Sequence, residues 1–205
     1  MIPQQQSHWF VAVVTPNTEK SCQKQLDALI ELLKKDRNGQ MDDEDKEANT
    51  IISYVPVQRE LHEWPSTGKR VWVDKVICPC YLFIRCTDKE RYNISCQAKF
   101  ILHFMMDRAR KNANGRNDFA RIPADQMKDF MLMVGDGERM VSIEPANLRV
   151  GDRVRIKSGR LAGLEGHVFK APDAKTTKLA FRIDFLGYAT MECPIELMEV
   201  VKDKY

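Results

Sequence analysis

Six thiols and four imidazoles are the side chains with the most chemistry to offer. Cys78 and Cys80 stand either side of Pro79 in "ICPCYLF", and Cys22, Cys86, Cys96 and Cys193 complete the set. A thiolate can attack an acyl or disulfide centre or bind zinc, but each task imposes a pattern. Zinc ligands and redox pairs recur as CxxC, and that spacing does not occur. His8, His62, His103 and His167 lie far apart in sequence, and HExxH, GxSxG and GxGxxG are all missing. An enzyme built on Cys78 or Cys80 has only the thiols in its favour. The cysteines read as buried or idle, and the expectation is a noncatalytic protein without metal or cofactor.

The elements that must carry these residues follow from periodicity. "HWFVAVV" from His8 is aromatic and β-branched, which suits a buried strand. A helix follows, with Leu26, Leu29, Ile30 and Leu33 at i, i+3, i+4 and i+7, and Asn17 or Thr18 to cap it. The acidic stretch around residues 35–49 has nothing to bury and reads as a solvated insertion. "IISYVPVQRE" and "KRVWVDKVICPCYLFIRC" read as strands joined through "WPSTGK" into a long hairpin arm. "AKFILHFMMD" is a further strand, "RARKNANGRNDFA" a loop or loose hairpin. A second helix starts at Pro123, presents Met127, Phe130, Met131 and Val134 on one face and stops at Gly135.

A chain of 205 residues with 43% hydrophobic content can bury one ordinary core or two small ones. The net charge of +3 does not announce a nucleic-acid binder. Its excess lies in residues 148–205, with 11 Lys and Arg against 8 Asp and Glu. No run of eighteen apolar residues exists and the amino terminus lacks a secretory pattern, so a cytoplasmic protein with no membrane partner is expected. Residues 1–136 read as an α/β sandwich with a mainly antiparallel sheet flanked by helices. Residues 137–147, with a glycine, a proline and little apolar content, read as a linker. Residues 148–205 read as a small curled β-barrel closing its own edges, so the whole is α+β. In "VGDRVRIKSGRLAGLEGHV", Val150, Val154 and Ile156 point inward and Arg153, Arg155 and Lys157 outward. Gly159, Gly163 and Gly166 supply backbone freedom at a corner, and Leu161 and Leu164 plug the barrel end. "KLAFRIDFLG" repeats the alternation with Leu179, Phe181, Ile183 and Phe185.

That glycine-rich stretch, with its Gly-Asp, alternating basic strand and Leu-x-Gly pair, resembles the KOW motif. "HWFVAVVTPNTEK", with Glu19 leading the first helix, resembles the opening of the NusG amino-terminal (NGN) domain. "VICPCYLFIRC" is similar to that domain's Phe-Pro-Gly-Tyr-Val-Phe-Val strand, and "IPADQM" to its second-helix start. The matches fall in the family's order, so the chain resembles NusG-like transcription elongation factors. It departs at Cys78 and Cys80, where Phe and Gly usually flank the proline, and in its acidic insertion. Those departures make it more similar to specialised UpxY-type antiterminators than to the housekeeping factor.

The resemblance implies a small SH3-like barrel at 148–205 and an apolar surface that docks on the clamp coiled coil of RNA polymerase, suppressing pausing or termination. By position Phe10, Cys78, Pro79, Tyr81 and Phe83 would carry that contact. Cys in place of Phe at 78 removes contact area worth about 1–2 kcal/mol unless neighbours compensate. Strand period puts Tyr81 and Phe83 on one face and Leu82 and Ile84 on the other, and leaves open which face is core. Lys20 and Lys24 stand where some specialised paralogues touch nontemplate DNA, though a solvated helix face explains them equally. Arg153, Arg155 and Lys157 could meet nascent RNA, or keep an outward strand soluble. The KOW module could recruit a ribosomal protein or a termination factor. The rival reading is a ribosome- or RNA-associated KOW protein.

Overall fold

The computed structural model describes residues 6–37, 51–144, 151–169 and 177–201. They belong to two compact units, Met1–Val55 with Cys78–Ala124, and Pro56–Ile77 with Asp125–Tyr205. The architecture is mixed α/β, with antiparallel sheets and three α-helices among the described residues. The acidic stretch beyond residue 37, the Leu33 side chain and Val150 lie outside the described set.

In the first unit β1 (His8–Val14) is the central strand. On one side it pairs with β5 (Tyr81–Cys86), in the register Phe10↔Ile84, Val11↔Phe83 and Val13↔Tyr81. On the other it meets β9 (Arg121–Ile122) along Trp9 and Phe10, and β6 (Ile101–Phe104) along Ala12 to Val14. The three-residue strand β2 (Ile52–Tyr54) lies outside β5. Helix α1 (Glu19–Arg37) buries Cys22, Leu26 and Ile30 at i, i+4 and i+8. Thr18 holds its cap position, its carbonyl accepting the first helical N–H from Cys22 at 2.8 Å.

A further helix, α2 (Asp88–Gln97), is absent from the expectations above because its single buried aliphatic, Ile94, leaves no apolar stripe to read. Its start is nonetheless written in the sequence as a capping box. The Thr87 hydroxyl accepts from the Glu90 N–H, and the Glu90 carboxylate accepts from the Thr87 N–H at 2.9 Å. Both helices lie on the sheet face that carries Phe10, Ala12, Leu82 and Ile84. From α1, Asp27 accepts from the Ser53 hydroxyl, and Ser53 pairs with Ile84. From α2, the Arg91 guanidinium stands over the Phe10 and Phe104 rings at 5.6 and 5.7 Å. The loose hairpin expected after β6 is formed by β7 (Met106–Lys111) and β8 (Asn117–Phe119).

The segment expected to run as one strand from Lys69 to Cys86 is cut at Pro79. Its first half, β4 (Arg70–Val76), pairs with β3 (Val57–Glu63) in the second unit. Its second half is β5. Between them Tyr81 N–H donates to Cys78 C=O at 3.3 Å, with Pro79 and Cys80 at the two central positions. Cys80 is left-handed, φ 69°, so the four residues have the pattern of a type II turn.

In the second unit the β3–β4 hairpin turns through Trp64 to Gly68, and its cross-strand pair Leu61 and Trp72 is exposed. Its base is anchored by one buried amide. Gln58 Nε2 donates to the carbonyls of Val134 (3.3 Å) and Arg139 (3.0 Å), and Oε1 accepts from Val141 N–H at 2.7 Å. Helix α3 (Ala124–Asp136) buries Met127, Phe130, Met133 and Val134, and Met131 is half-buried. Gly135 lies inside it, and Gly137 at φ 70° takes the left-handed position beyond its end.

The second sheet is antiparallel, in the order β10 (Val141–Glu144), β14 (Gly187–Glu192), β13 (Lys178–Ile183), β12 (Glu165–Phe169), β11 (Arg153–Ile156), β15 (Met198–Val200). It is open, where a barrel closing its own edges was expected. The edge of β14 is taken by β10, a strand drawn from the stretch expected to be linker, so β15 ends the opposite side unpaired to it. Val154, Ile156, Leu161, Leu164, Leu179, Phe181 and Ile183 are buried as the alternation predicts. Phe185 breaks the series: it is in the β13–β14 turn, left-handed at φ 72° and exposed. Gly159 and Gly163 have φ 88°, whereas Gly166 has another reason. A Cβ there would meet Ala180 O at 2.9 Å and the Phe181 ring at 3.1 Å.

Gln58→Ala leaves two carbonyls and one N–H of a buried junction unpaired, and should lower unfolding stability by about 2–4 kcal/mol. Urea unfolding checks this; a loss under about 0.5 kcal/mol, the size of an ordinary surface substitution, would show that the amide is no anchor. Cys80→Gly removes a left-handed side-chain penalty of about 1–2 kcal/mol against some added chain entropy. It should stabilise the chain by roughly 0.5–1 kcal/mol, while Cys80→Ala, which retains the penalty, should not.

Candidate functional site

The Cys78–Tyr81 turn is positioned by Glu19. This carboxylate is 3% exposed, and Oε1 accepts from Cys80 N–H at 2.7 Å and from Asn17 N–H at 3.2 Å. It thus ties the mouth of α1 to the start of β5, and it sits in the helix's first turn, where negative charge meets the free N–H groups. Val14 N–H donates to Cys80 C=O at 2.9 Å, so both polar backbone groups of Cys80 are engaged. What remains outward is Pro79, exposed, and Tyr81, half-buried. Val13 and His103 extend the accessible surface, since Tyr81, Val13 and His103 are cross-strand neighbours on one face of β5, β1 and β6.

The five residues expected to form one apolar patch do not form one. Phe10 and Phe83 are both fully buried and offer a partner no surface. They also face opposite ways, because Phe10 pairs with Ile84 and Phe83 with Val11. Phe10 belongs under the helices, edge-on to Phe104 at 6.3 Å. Phe83 lies on the Tyr81 face with Tyr54, ring centroids 6.2 Å apart. Alternation alone indicates the sharing of faces; it does not indicate how deep along the strand burial extends.

Cys78 is 3% exposed, and burial pushes its thiol up to about 12. Near neutral pH it is a protonated apolar filler and supplies no thiolate nucleophile. Burial also raises the Tyr54 phenol far above its usual value, with Cys78 adding to the shift. The Cys86 thiol is raised for the same reason, ahead of a contribution from Glu90. The histidines are not brought together. His8 stacks edge-on with Phe10 and His62 with Trp64, His103 is exposed, and His167 pairs across strands with Arg153. Among the described residues no group of three or more His, Cys, Asp or Glu is placed to hold a metal.

The cationic candidates separate. Lys24 is exposed on α1 and Lys20 half-buried. Arg153, Arg155 and Lys157 point outward as expected, but both arginines are clamped by Glu165 across the sheet. Arg153 Nη2 reaches Glu165 Oε2 at 2.7 Å, and Arg155 Nε reaches Oε1 at 2.8 Å. Hydrogen bonds from Arg155 hold Glu165 below the usual carboxylate range. A phosphate would have to displace that carboxylate. Sequence reasoning missed Gln58 and Arg91, whose partners lie too far along the chain for local pattern to signal them.

No protein-family model and no curated protein matches this sequence. Among solved structures the chain is similar to Thermotoga maritima NusG in a structure of its domain interaction. Identity is 14%, covering 96% of this chain and 98% of that one, with a TM-score of 0.49. It is also similar to the MjSpt4:Spt5 complex in conformations A and B, at 11% and 12% identity over 96% of this chain and 99% of those, with TM-scores of 0.30 and 0.29. Values this low assign neither an activity nor a role to any residue of this chain.

Proposed function

We propose that this chain is a noncatalytic, cytoplasmic transcription elongation factor of the NusG type, specialised towards antitermination as the UpxY-type proteins are. In this reading residues 1–136 bind the clamp coiled coil of RNA polymerase and residues 148–205 form an SH3-like KOW module that recruits a further partner, its sheet extended by β10 from the stretch expected to be linker. One observation carries the docking surface. The Glu19-tied turn leaves Pro79 and Tyr81 accessible at the end of a sheet whose inner residues, Val11, Leu82, Phe83 and Ile84, are wholly buried. A rigid proline and a half-exposed tyrosine supply contact area at small entropic cost, and tyrosine is among the residues enriched as interface anchors. Phe10 and Phe83 contribute by fixing the strands, and Cys78 by filling the space beneath the turn. The sequence motifs quoted above support the family. Binding at a clamp would act on rate by favouring one state of the polymerase.

A polymerase clamp coiled-coil fragment should be retained by the full-length protein and lose at least about tenfold in affinity to Pro79→Ala/Tyr81→Ala, the loss expected for one interface anchor. Circular dichroism of the double variant confirms its fold. No retention by the unaltered protein, or equal retention by the variant, overturns the reading.

A further inference from the structure

The β7–β8 hairpin and the arginine that follows it form a cationic segment, and nothing in the proposed polymerase contact uses it. Residues 106–121 carry Arg108, Arg110, Lys111, Arg116 and Arg121 against Asp107 and Asp118, a net +3, as much as the whole chain. The two acids are occupied. Asp118 pairs with Arg110 at 3.3 Å and Arg121 at 3.7 Å, and Asp107 accepts from Ala109 N–H at 2.9 Å. Arg108 and Arg116 are exposed and, among the described residues, make no ion pair; Lys111 is exposed and bonds only the Asn117 amide.

The hairpin is also built to hold these charges in place. Asn112 Oδ1 accepts from the N–H groups of Asn114 and Arg116, at 3.0 and 3.1 Å, and Asn112 N–H donates to Arg116 C=O at 2.8 Å. Gly115, at φ 72°, completes the tip. The pairing jumps from Asp107↔Asp118 to Lys111↔Asn117, so residues 108–110 bulge from the ladder. The result is a short stiff ribbon with unpaired guanidinium groups on its bulge and tip.

We propose that this ribbon is a nucleic-acid backbone-binding site, with Arg108, Lys111 and Arg116 contacting phosphates. Two features favour a polyanionic backbone over an acidic protein surface. Arginine offers phosphate a planar two-pronged donor. The ribbon from 107 to 118 has only Ala109 and Ala113 as apolar residues, whereas protein interfaces concentrate aromatics and methionine at their centre. The asparagines at 112, 114 and 117 add amides at the same surface. Compared with Arg153 and Arg155, which a phosphate must first free from Glu165, these cations are available without a competing carboxylate.

The test is fluorescence anisotropy with the full-length protein and no polymerase, so its outcome does not depend on the docking proposal. Probes are labelled 20-nucleotide single-stranded RNA, single-stranded DNA and duplex DNA, titrated between 50 and 200 mM salt. Three phosphate contacts contribute roughly 2 to the slope of log K against log salt on a single strand and somewhat more on a duplex. Arg108→Gln/Lys111→Gln/Arg116→Gln, which spares the Arg110–Asp118 pair, should lose that slope and on the order of ten- to a hundredfold in affinity at 0.1 M salt. Its thermal unfolding should be unchanged. Which probe binds most tightly identifies the source of the backbone. No binding to any probe at 50 mM salt, an unchanged slope in the triple variant, or equal competition by polyglutamate of matched charge would overturn the proposal.

Discussion

A single buried carboxylate holds the first unit's working end together. Glu19 accepts from Asn17 and Cys80, and both donors are left-handed residues with side chains, at φ 65° and 69°. Each such conformation costs about 1–2 kcal/mol. Charge-assisted hydrogen bonds at the mouth of α1 offset that cost and satisfy the buried carboxylate. Remove the carboxylate and both loops lose the reason for their shape: the one that starts α1 and the one that delivers the chain into β5. The exposure of Pro79 follows from this tie more than from any property of proline.

The buried cation of this unit works differently. Arg91 lies 3.4 Å from the centroid of the Phe119 ring and also faces Phe10 and Phe104, so aromatic faces take much of the place of a counter-ion. Asp88 pairs with it at 3.8 Å, and burial lowers the affinity of Arg91 for its proton. A strand aromatic expected at a partner's surface is therefore spent on solvating an arginine. Phe10 could not be sorted from Tyr81 by residue type, because an aromatic that binds a partner and one that covers an internal cation have the same letter.

Much of the architecture was legible where a short-range rule operates. The alternation through Arg153 to Lys157 and the turn at "WPSTGK" reappear at the expected residues, and Leu26 and Ile30 of the α1 stripe are buried with Leu29 half-buried beside them. What escaped depends on separation along the chain. Strand β2 meets β5 some thirty residues on, so the division of the β3–β4 arm from its flanks cannot be read locally. Strand β10 was hidden among glycines and a proline, since four residues are too few for a period to show. The candidate site was legible as a proline turn in the right strand; its depth was not, because burial is decided by elements that the local pattern does not contain.

The anchorage of the β3–β4 arm has a consequence during synthesis. Gln58 must wait for partners 76 to 83 positions later in the chain. At bacterial-to-eukaryotic translation speeds that is an interval of roughly 4 to 17 s. Throughout it the nascent hairpin displays Leu61, Trp64 and Trp72 on an unfastened stem. Those side chains stay exposed in the finished protein. Docking of Gln58 therefore fastens the arm without hiding those side chains, which face solvent before and after the stem is closed.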